Sequence, residues 1–184
     1  MTRYKSFDPN LELNGRTTSA FIVNIKYDDI AALLIKHGLN DIDPMQWYNM
    51  QKVLDVMTEI SENVNASENL VAVGMAAGQL ALDNLPPQYV DMTTEQWLRT
   101  YCEQLYPTRH RGGYCGEMVF QVVTDTHYII TAHIPYPDDL MYGVFYAHIR
   151  HFMRRKQSFV LHYDPDVLRR ELGGEKTIYH VVIQ

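Results

Sequence analysis

The sequence lacks the features that mark a membrane protein or a nucleic-acid-binding protein. Of its 184 residues, 16 are Lys or Arg and 22 are Asp or Glu, so the net charge is −6 and no basic surplus offsets phosphate. No run of about 18 apolar residues occurs, which argues against a transmembrane helix. The polar segment Met1–Asn14 has no apolar signal core. We therefore expect a cytoplasmic protein with no nucleic-acid partner and no membrane span.

Specific catalytic and metal-binding signatures are also missing. The phosphate-binding glycine patterns, the G-x-S-x-G elbow and the zinc pattern H-E-x-x-H do not occur. The two cysteines, Cys102 and Cys115, form no C-x-x-C pair and suit packed thiols in a reducing compartment. The sequence predicts no catalytic residue and no metal ligand. An enzyme assisted by His148, His151 or Cys115 stays open as an alternative, and a non-enzymatic role is favoured.

The hydrophobic pattern predicts an α+β fold in a single domain, residues 1–184. The N-terminal part is mainly helical, although Thr18–Tyr27 is rich in β-forming residues and predicts a short strand. Asp43 and Pro44 have the order of an N-cap and first helical residue, which predicts a helix from there to about Asn63. A further helix is predicted over Leu70–Leu82, and another is capped by Thr93 or Thr94.

The C-terminal half changes from helical spacing to alternation and predicts a small antiparallel sheet in the order β-β-α-β-β, on which the helical part packs. Asp138 or Asp139 is placed to cap the single helix of this half. The predicted elements are the strands Glu117–Val123 and His127–Ile134, the helix Leu140–Arg155, and the strands Ser158–Tyr163 and Lys176–Ile183.

The helix of the C-terminal half carries a histidine on its apolar face. At 100° per residue, one stripe of this helix contains Met141, Val144, Phe145, His148 and Phe152, with Tyr142 beside it. A buried imidazole needs hydrogen-bond partners. His148 is therefore either a core residue bonded to a carbonyl or a tyrosine, or a residue that faces a ligand in an aromatic pocket.

The helix predicted over Leu70–Leu82 is almost uncharged and rich in small residues. Gly74 and Gly78 lie on one of its faces and allow another backbone to approach closely. We expect an apolar pocket between this helix and the one that carries His148. The predicted ligand-binding residues are His148, Tyr142, Phe145, Phe152, Gly74 and Gly78.

The order of elements over Val119–Ile183 resembles a known superfamily. A hairpin is followed by PYPDD, by YGVFYAHIRHFM and by SFVLHYDPDVLRRELGGEKTIYHVVI. This order is similar to the C-terminal half of the superfamily of H-NOX haem-nitric-oxide-binding sensors, 4-vinyl-reductase-like domains and TRAPP transport subunits. The resemblance implies an apolar pocket between helices and sheet. The Tyr-x-Ser-x-Arg motif that holds the haem propionates is absent, so the cofactor stays unknown, with haem still open.

These observations favour a domain that binds or senses a small apolar or aromatic ligand. The first alternative is a non-catalytic interaction subunit that forms a homodimer through tyrosine-rich surface, since the chain contains 13 tyrosines. The second alternative is the histidine- or cysteine-assisted enzyme.

Overall fold

The computed structural model describes residues 3–25, 30–62, 66–83, 85–153 and 157–184. In these ranges, the part of the chain before residue 110 is mainly helical. A π-helical turn, Tyr101–Leu105, joins the last two of these helices. None of the helices in the described ranges is long and apolar enough to cross a bilayer. The helices are α1 (Gly15–Ile22), α2 (Ile30–His37), α3 (Met50–Ser61), α4 (Ala66–Asp83), α5 (Thr94–Thr100) and α6 (Tyr106–Thr108).

The predicted strand Thr18–Tyr27 is wrong, because its first half, up to Ile22, belongs to α1. Asn14 is the N-cap, and its side-chain oxygen accepts a hydrogen bond of 2.8 Å from the Thr17 amide. Phe21 is buried, whereas Val23, which alternation places on the same side, is 73% exposed. Side chains three or four apart thus share the buried face, as in a helix. Residues 26 and 27 lie outside the described ranges.

The helix predicted to begin at Asp43 and Pro44 begins later. Its observed N-cap is Asn49, whose side chain accepts a hydrogen bond from the Gln51 amide at 3.0 Å. The Asp43 carboxylate instead accepts from the Met45 amide in a local turn. The predicted end, residue 63, lies outside the described ranges.

A small sheet that the sequence does not predict lies beside α1 and α3. Its strands are β1 (Glu12–Asn14), β2 (Trp47–Asn49) and β3 (His110–Arg111), paired antiparallel in the order β2-β1-β3. Strands of two or three residues are too short to show a period-two pattern. β1 and β2 each lead directly into a helix, so this sheet fixes where α1 and α3 begin.

The larger sheet and its helix confirm the predicted β-β-α-β-β order. The strands pair antiparallel in the spatial order β4-β5-β7-β6. Alternate residues of β7 are buried, and Tyr179 on that face lies 5.1 Å from the ring of Phe145 in the helix. The elements are β4 (Glu117–Thr124), β5 (His127–His133), α7 (Asp138–Phe152), β6 (Phe159–Tyr163) and β7 (Thr177–Ile183). Residue 155, where the sequence predicts the end of the helix, lies outside the described ranges.

The start of α7 is held differently from the predicted capping by Asp138 or Asp139. The N-cap is Pro137 and has no side-chain cap. Asp138 is buried and exchanges two hydrogen bonds with Glu171: its amide donates to the Glu171 carboxylate at 2.7 Å, and its own carboxylate accepts from the Glu171 amide at 3.2 Å. The Thr177 hydroxyl also donates to this carboxylate, at 2.6 Å. Asp138 therefore binds α7 to the loop before β7.

Glycines bring α4 and α7 into backbone contact. A Cβ atom at Gly74 would overlap the Leu140 carbonyl oxygen, and one at Gly143 would overlap the Val71 carbonyl oxygen and lie 2.7 Å from the Met75 amide nitrogen. The two glycines face each other across the helix pair. The expected close approach of a second backbone to Gly74 is therefore present, and the backbone that approaches is α7.

We predict that Gly143→Ala lowers the free energy of unfolding by at least about 1–3 kcal/mol, because the added methyl overpacks a backbone contact that cannot relax. Ala72→Met is the control, since it adds bulk on an exposed position of α4 and should change stability by less than about 0.5 kcal/mol. Urea denaturation measures both. Equal stability of the two variants would contradict the predicted role of the contact.

Candidate functional site

A cleft of about 660 Å³ opens where α1, α4, α7 and the turn after α5 meet. This volume is within the range of small-molecule sites, which are mostly apolar with few polar groups. The described residues that line it are Asn14, Arg16, Thr17, Ser19, Ala20, Phe21, Pro44, Ala77, Gly78, Leu80, Ala81, Pro86, Tyr101, Leu105, Thr108, Arg109, Val144 and His148.

His148 lines this cleft with no hydrogen bond to either ring nitrogen. The residue is 1% exposed, and both nitrogens are buried without a partner among the described residues. Tyr101 and Trp97 lie edge-on to the ring, with centroids at 4.6 Å and 5.3 Å. Burial, with a smaller contribution from the charge of Arg109, lowers the pKa of His148 to about 3. The imidazole is therefore neutral and offers one donor and one acceptor.

The aromatic surroundings of His148 follow from how α5 begins. Thr93 and Gln96 form a capping box: the Gln96 amide donates to the Thr93 hydroxyl at 3.2 Å, and the Gln96 side chain accepts from the Thr93 amide at 2.9 Å. This confirms the predicted helix start. One turn later, Trp97 stacks on Phe152 of α7 with centroids 4.7 Å apart. The capping box therefore sets the position of the aromatic wall.

The π-helical turn Tyr101–Leu105 forms one side of the cleft. Both of its terminal residues line the cavity. Single π-helical turns inside helices are often found at functional sites, because they redirect side chains relative to a regular helix. The sequence shows no spacing that predicts this turn, and Tyr101 was not among the predicted ligand-binding residues.

Two arginines are the only charged side chains among the described residues of the cleft. Arg109 donates to the Thr17 hydroxyl at 3.2 Å, and its guanidinium lies 5.6 Å from the ring centroid of Tyr101. Its Nε is buried without a partner among the described residues. Arg16 is exposed at the start of α1. Sequence reasoning missed both, since arginines from distant segments meet only in the fold.

The structure places two of the six predicted ligand-binding residues, His148 and Gly78, in the lining of the cleft. Gly78 packs closely against α7, since a Cβ atom there would lie 3.0 Å from the Ala147 Cβ and 3.2 Å from the Val144 carbonyl oxygen. Gly74 lies outside the lining, in the backbone contact with α7.

The other three predicted ligand-binding residues lie on α7 but contact the larger sheet or α5 and do not line the cleft. The Tyr142 hydroxyl donates to the Leu161 carbonyl at 2.7 Å and so belongs to the contact with β6. Phe145 is fully buried against the larger sheet, and Phe152 covers Trp97. The apolar stripe of α7 is wide enough to contact both the larger sheet and the cleft. Phe145 and the adjacent Tyr142 contact the sheet.

The side chains of the alternative enzyme hypothesis, His148, His151 and Cys115, form no hydrogen bond with one another among the described residues. The Cys115 thiol donates a hydrogen bond to the carbonyl of Gly116 at 3.5 Å and packs against the core, and burial raises its pKa. His151 is exposed and packs edge-on against Phe152. Burial also raises the pKa of Cys102. Neither cysteine is poised as a thiolate nucleophile.

Histidines also meet on the face of the larger sheet that points away from α7. A nitrogen of His127 lies 2.9 Å from one of His180, whose other nitrogen lies 2.9 Å from the Asp164 carboxylate. This last bond lowers the pKa of Asp164. In the described part of the chain, no group of three or more His, Cys, Asp or Glu residues is arranged to hold a metal ion.

Comparison with known proteins identifies the fold. No protein-family model and no curated protein matches the sequence. A mutant of the H-NOX protein from T. tengcongensis has a TM-score of 0.72 and 14% identity over 94% of this chain and 98% of that one. A mutant of the H-NOX protein from K. algicida, in the Fe(II) unliganded state, gives 0.68 and 11% over 94% and 97%. The chain therefore has an H-NOX-like fold.

A third structure, the H-NOX protein from S. oneidensis in the Fe(II)NO ligation state, has a TM-score of 0.66 and 14% identity over 90% of this chain and 98% of that one. The likeness of fold thus extends far beyond the C-terminal segment Val119–Ile183, where the sequence resemblance was seen. Identities of this size establish the fold and leave the ligand open.

The residues of the cleft do not fit a haem. A metal-bound histidine often donates its second ring N–H to a carboxylate or a carbonyl, and His148 meets neither among the described residues. The backbone contact between Gly74 and α7 leaves no slot between those helices for a flat macrocycle. The sequence also lacks the propionate-binding motif. We therefore assign no step to haem.

We predict that His148→Leu raises the free energy of unfolding at pH 7 by about 1 kcal/mol, because it removes a buried donor and acceptor without partners. His151→Leu, at an exposed position of the same helix, is the control and should not stabilise. Chemical denaturation of the ligand-free proteins measures this. A destabilised His148→Leu variant would show that the imidazole has a partner.

The same variant should change the pH dependence of stability. His148 has a folded pKa of about 3 and an ordinary pKa of 6.5, so between these values the unfolded chain binds the extra proton. Stability due to His148 is complete above pH 6.5 and falls by about 2 kcal/mol from pH 7 to pH 5. His148→Leu should lose this component. An identical pH difference in wild type and variant would contradict the burial of a neutral imidazole.

Proposed function

We propose that this protein is a sensing domain that binds a small apolar or aromatic molecule in the cleft lined by His148. The observation that carries the proposal is the buried imidazole with two unpartnered nitrogens at the wall of an open cavity. A buried donor or acceptor left unpaired costs about 1–3 kcal/mol. A ligand that forms a hydrogen bond with His148 would recover part of that cost on binding.

The composition of the cleft supports an apolar ligand. Most of its lining is aliphatic or aromatic, with Phe21 and Tyr101 as the ring-bearing walls. The polar residues of the lining, among them Arg109 and His148, can orient a ligand. A ligand in this position would contact α1, α4 and α7 together and could therefore alter how these helices pack. Such a coupling of binding to packing is what a sensor requires.

The fold supports a sensing role by analogy alone. Among the solved structures of this fold are an oxygen complex of an H-NOX domain related to soluble guanylate cyclases and an H-NOX protein in the Fe(II)NO ligation state. Both bind a small ligand. Since neither ring nitrogen of His148 has a hydrogen-bond partner among the described residues, we infer that this chain uses the fold for an organic ligand and not for a gas on iron.

A matched pair of tryptophan variants tests the cleft. Ala81 lines the cavity, so Ala81→Trp should fill it, whereas Ala72→Trp adds the same side chain on the exposed face of α4. With neutral 2-naphthamide as the probe, we expect calorimetric binding to wild type and to Ala72→Trp. Binding to Ala81→Trp should be at least about tenfold weaker, which corresponds to about 1.4 kcal/mol.

Native mass spectrometry and absorption of the purified protein provide the independent check. A retained organic ligand lost in Ala81→Trp would support the proposal. A Soret band would overturn the exclusion of haem. Equal binding of the probe to both tryptophan variants would place the site outside the cleft and contradict the proposed function.

The alternative interaction subunit is supported by one observation, an exposed apolar edge. β4 is an edge strand of the larger sheet, and Val119, Val122 and Val123 on it are each at least 42% exposed. Such edges pair with other chains. If the protein dimerises there, sedimentation should show a dimer that Val122→Lys converts to monomer. A wild type that stays monomeric at high concentration would contradict this alternative.

A further inference from the structure

The cleft carries positive charge without a negative partner. Arg16 and Arg109 line it, and no acidic side chain does so among the described residues. Neither arginine forms an ion pair in the described part of the chain: Arg109 reaches the Thr17 hydroxyl, and the recorded contact of Arg16 is with the Met45 sulfur at 4.0 Å. An arginine that is always charged and has no acceptor is poorly solvated where it is buried.

Arg109 is the more informative of the two because part of its guanidinium is removed from water. Its Nε has no partner among the described residues, although its Nη1 is fixed by Thr17. The fork of a guanidinium donates two parallel bonds to a carboxylate. The guanidinium also lies near the ring of Tyr101, where a planar group can pack against it. The arginine is therefore oriented and still has donors free.

Deeper in the cleft, the polar group that meets a ligand is the neutral ring of His148. Its nitrogens are unpartnered, Tyr101 lies edge-on to it, and Val144 and Ala77 line the same cleft. A ligand that fits both regions has an apolar body toward His148 and an anionic group toward the arginines. Since Arg109 is the only half-buried guanidinium among the described residues of the cleft, a single carboxylate suits the site better than a doubly charged phosphate.

We propose that the cleft binds an aromatic carboxylic acid, whose carboxylate is held by Arg109 and Arg16 and whose ring packs on the cleft wall that Tyr101 and His148 form together. This inference rests on the proposed function, because it requires the same cleft to be a ligand site. It adds the class of ligand and the residues that select it.

Four probes of nearly equal size separate charge from shape: 2-naphthoate, 2-naphthamide, 2-naphthylmethylamine and 2-naphthyl phosphate. With the full chain at pH 7, calorimetry should show 2-naphthoate binding at least about tenfold more tightly than the amide. The amine should bind more weakly than the amide. Higher salt should weaken the binding of 2-naphthoate and leave that of the amide unchanged.

Arginine variants assign the effect to named side chains. Arg109→Gln should remove most of the preference for 2-naphthoate over the amide, measured as the ratio of the two affinities in the same variant. Arg16→Gln, at an exposed position, should reduce the preference less and keeps the test valid if Arg109→Gln does not fold. Arg150→Gln is the control, since Arg150 is exposed on α7 and lies outside the cleft.

The outcomes separate this inference from the function on which it rests. Equal binding of amide and carboxylate, or a preference that survives both Arg109→Gln and Arg16→Gln, would overturn the ligand class and leave the cleft as a ligand site. Tighter binding of the phosphate would overturn the carboxylate assignment. Binding of none of the four probes would contradict the proposed function together with this inference.

Discussion

The backbone contact between α4 and α7 is the constraint on which the rest of the structure depends. Gly74 and Gly143 let the two helices touch without side chains between them. No larger residue fits at either position, because the atoms that a Cβ would meet are main-chain atoms of the opposite helix. The contact fixes the distance and rotation of α7 relative to α4. Everything that α7 presents, including His148, is placed by it.

The position of α7 is fixed a second time by polar contacts at its start. Asp138 and Glu171 exchange backbone-to-carboxylate hydrogen bonds, and the Thr177 hydroxyl adds a third bond to Asp138. Burial raises the pKa of both carboxyl groups. The helix therefore cannot slide along the sheet without leaving buried acceptors unpaired. With the glycine contact on one face and these polar contacts at one end, the orientation of His148 is rigidly determined.

The sequence predicted the parts of this fold that have long periodic elements. The order β-β-α-β-β, the small-residue helix and the position of His148 in an aromatic interior follow from spacing that persists over many residues. Prediction failed where a capping residue determines where a helix begins. Asn14 caps α1 in front of a β-rich segment, and α3 begins after its N-cap Asn49 and not at Asp43. Neither residue stands out from other loop asparagines until its partner amide is known.

The site was harder to predict than the fold for a different reason. Side chains at helical spacing show which face of α7 is apolar. They do not show that the larger sheet covers Phe145 and Tyr142, while Val144 and His148 line the cleft. Arg16 and Arg109 are distant in sequence and come together through the pairing of β1 with β3. Such long-range meetings carry no local signature, so a charge in a pocket is visible only after folding.

An H-NOX-like fold without the features of a haem site is physically reasonable. The fold supplies two helical layers and a sheet around an interior whose contents depend on a few side chains. Here glycines close the space between α4 and α7 at Gly74, and the cleft lies beside α1 and the π-helical turn. A buried histidine without a second hydrogen bond is a weak metal ligand but a good partner for a polar group on an organic molecule. The same backbone architecture can therefore present a different chemistry, because the chemistry is set by which atoms are left without partners.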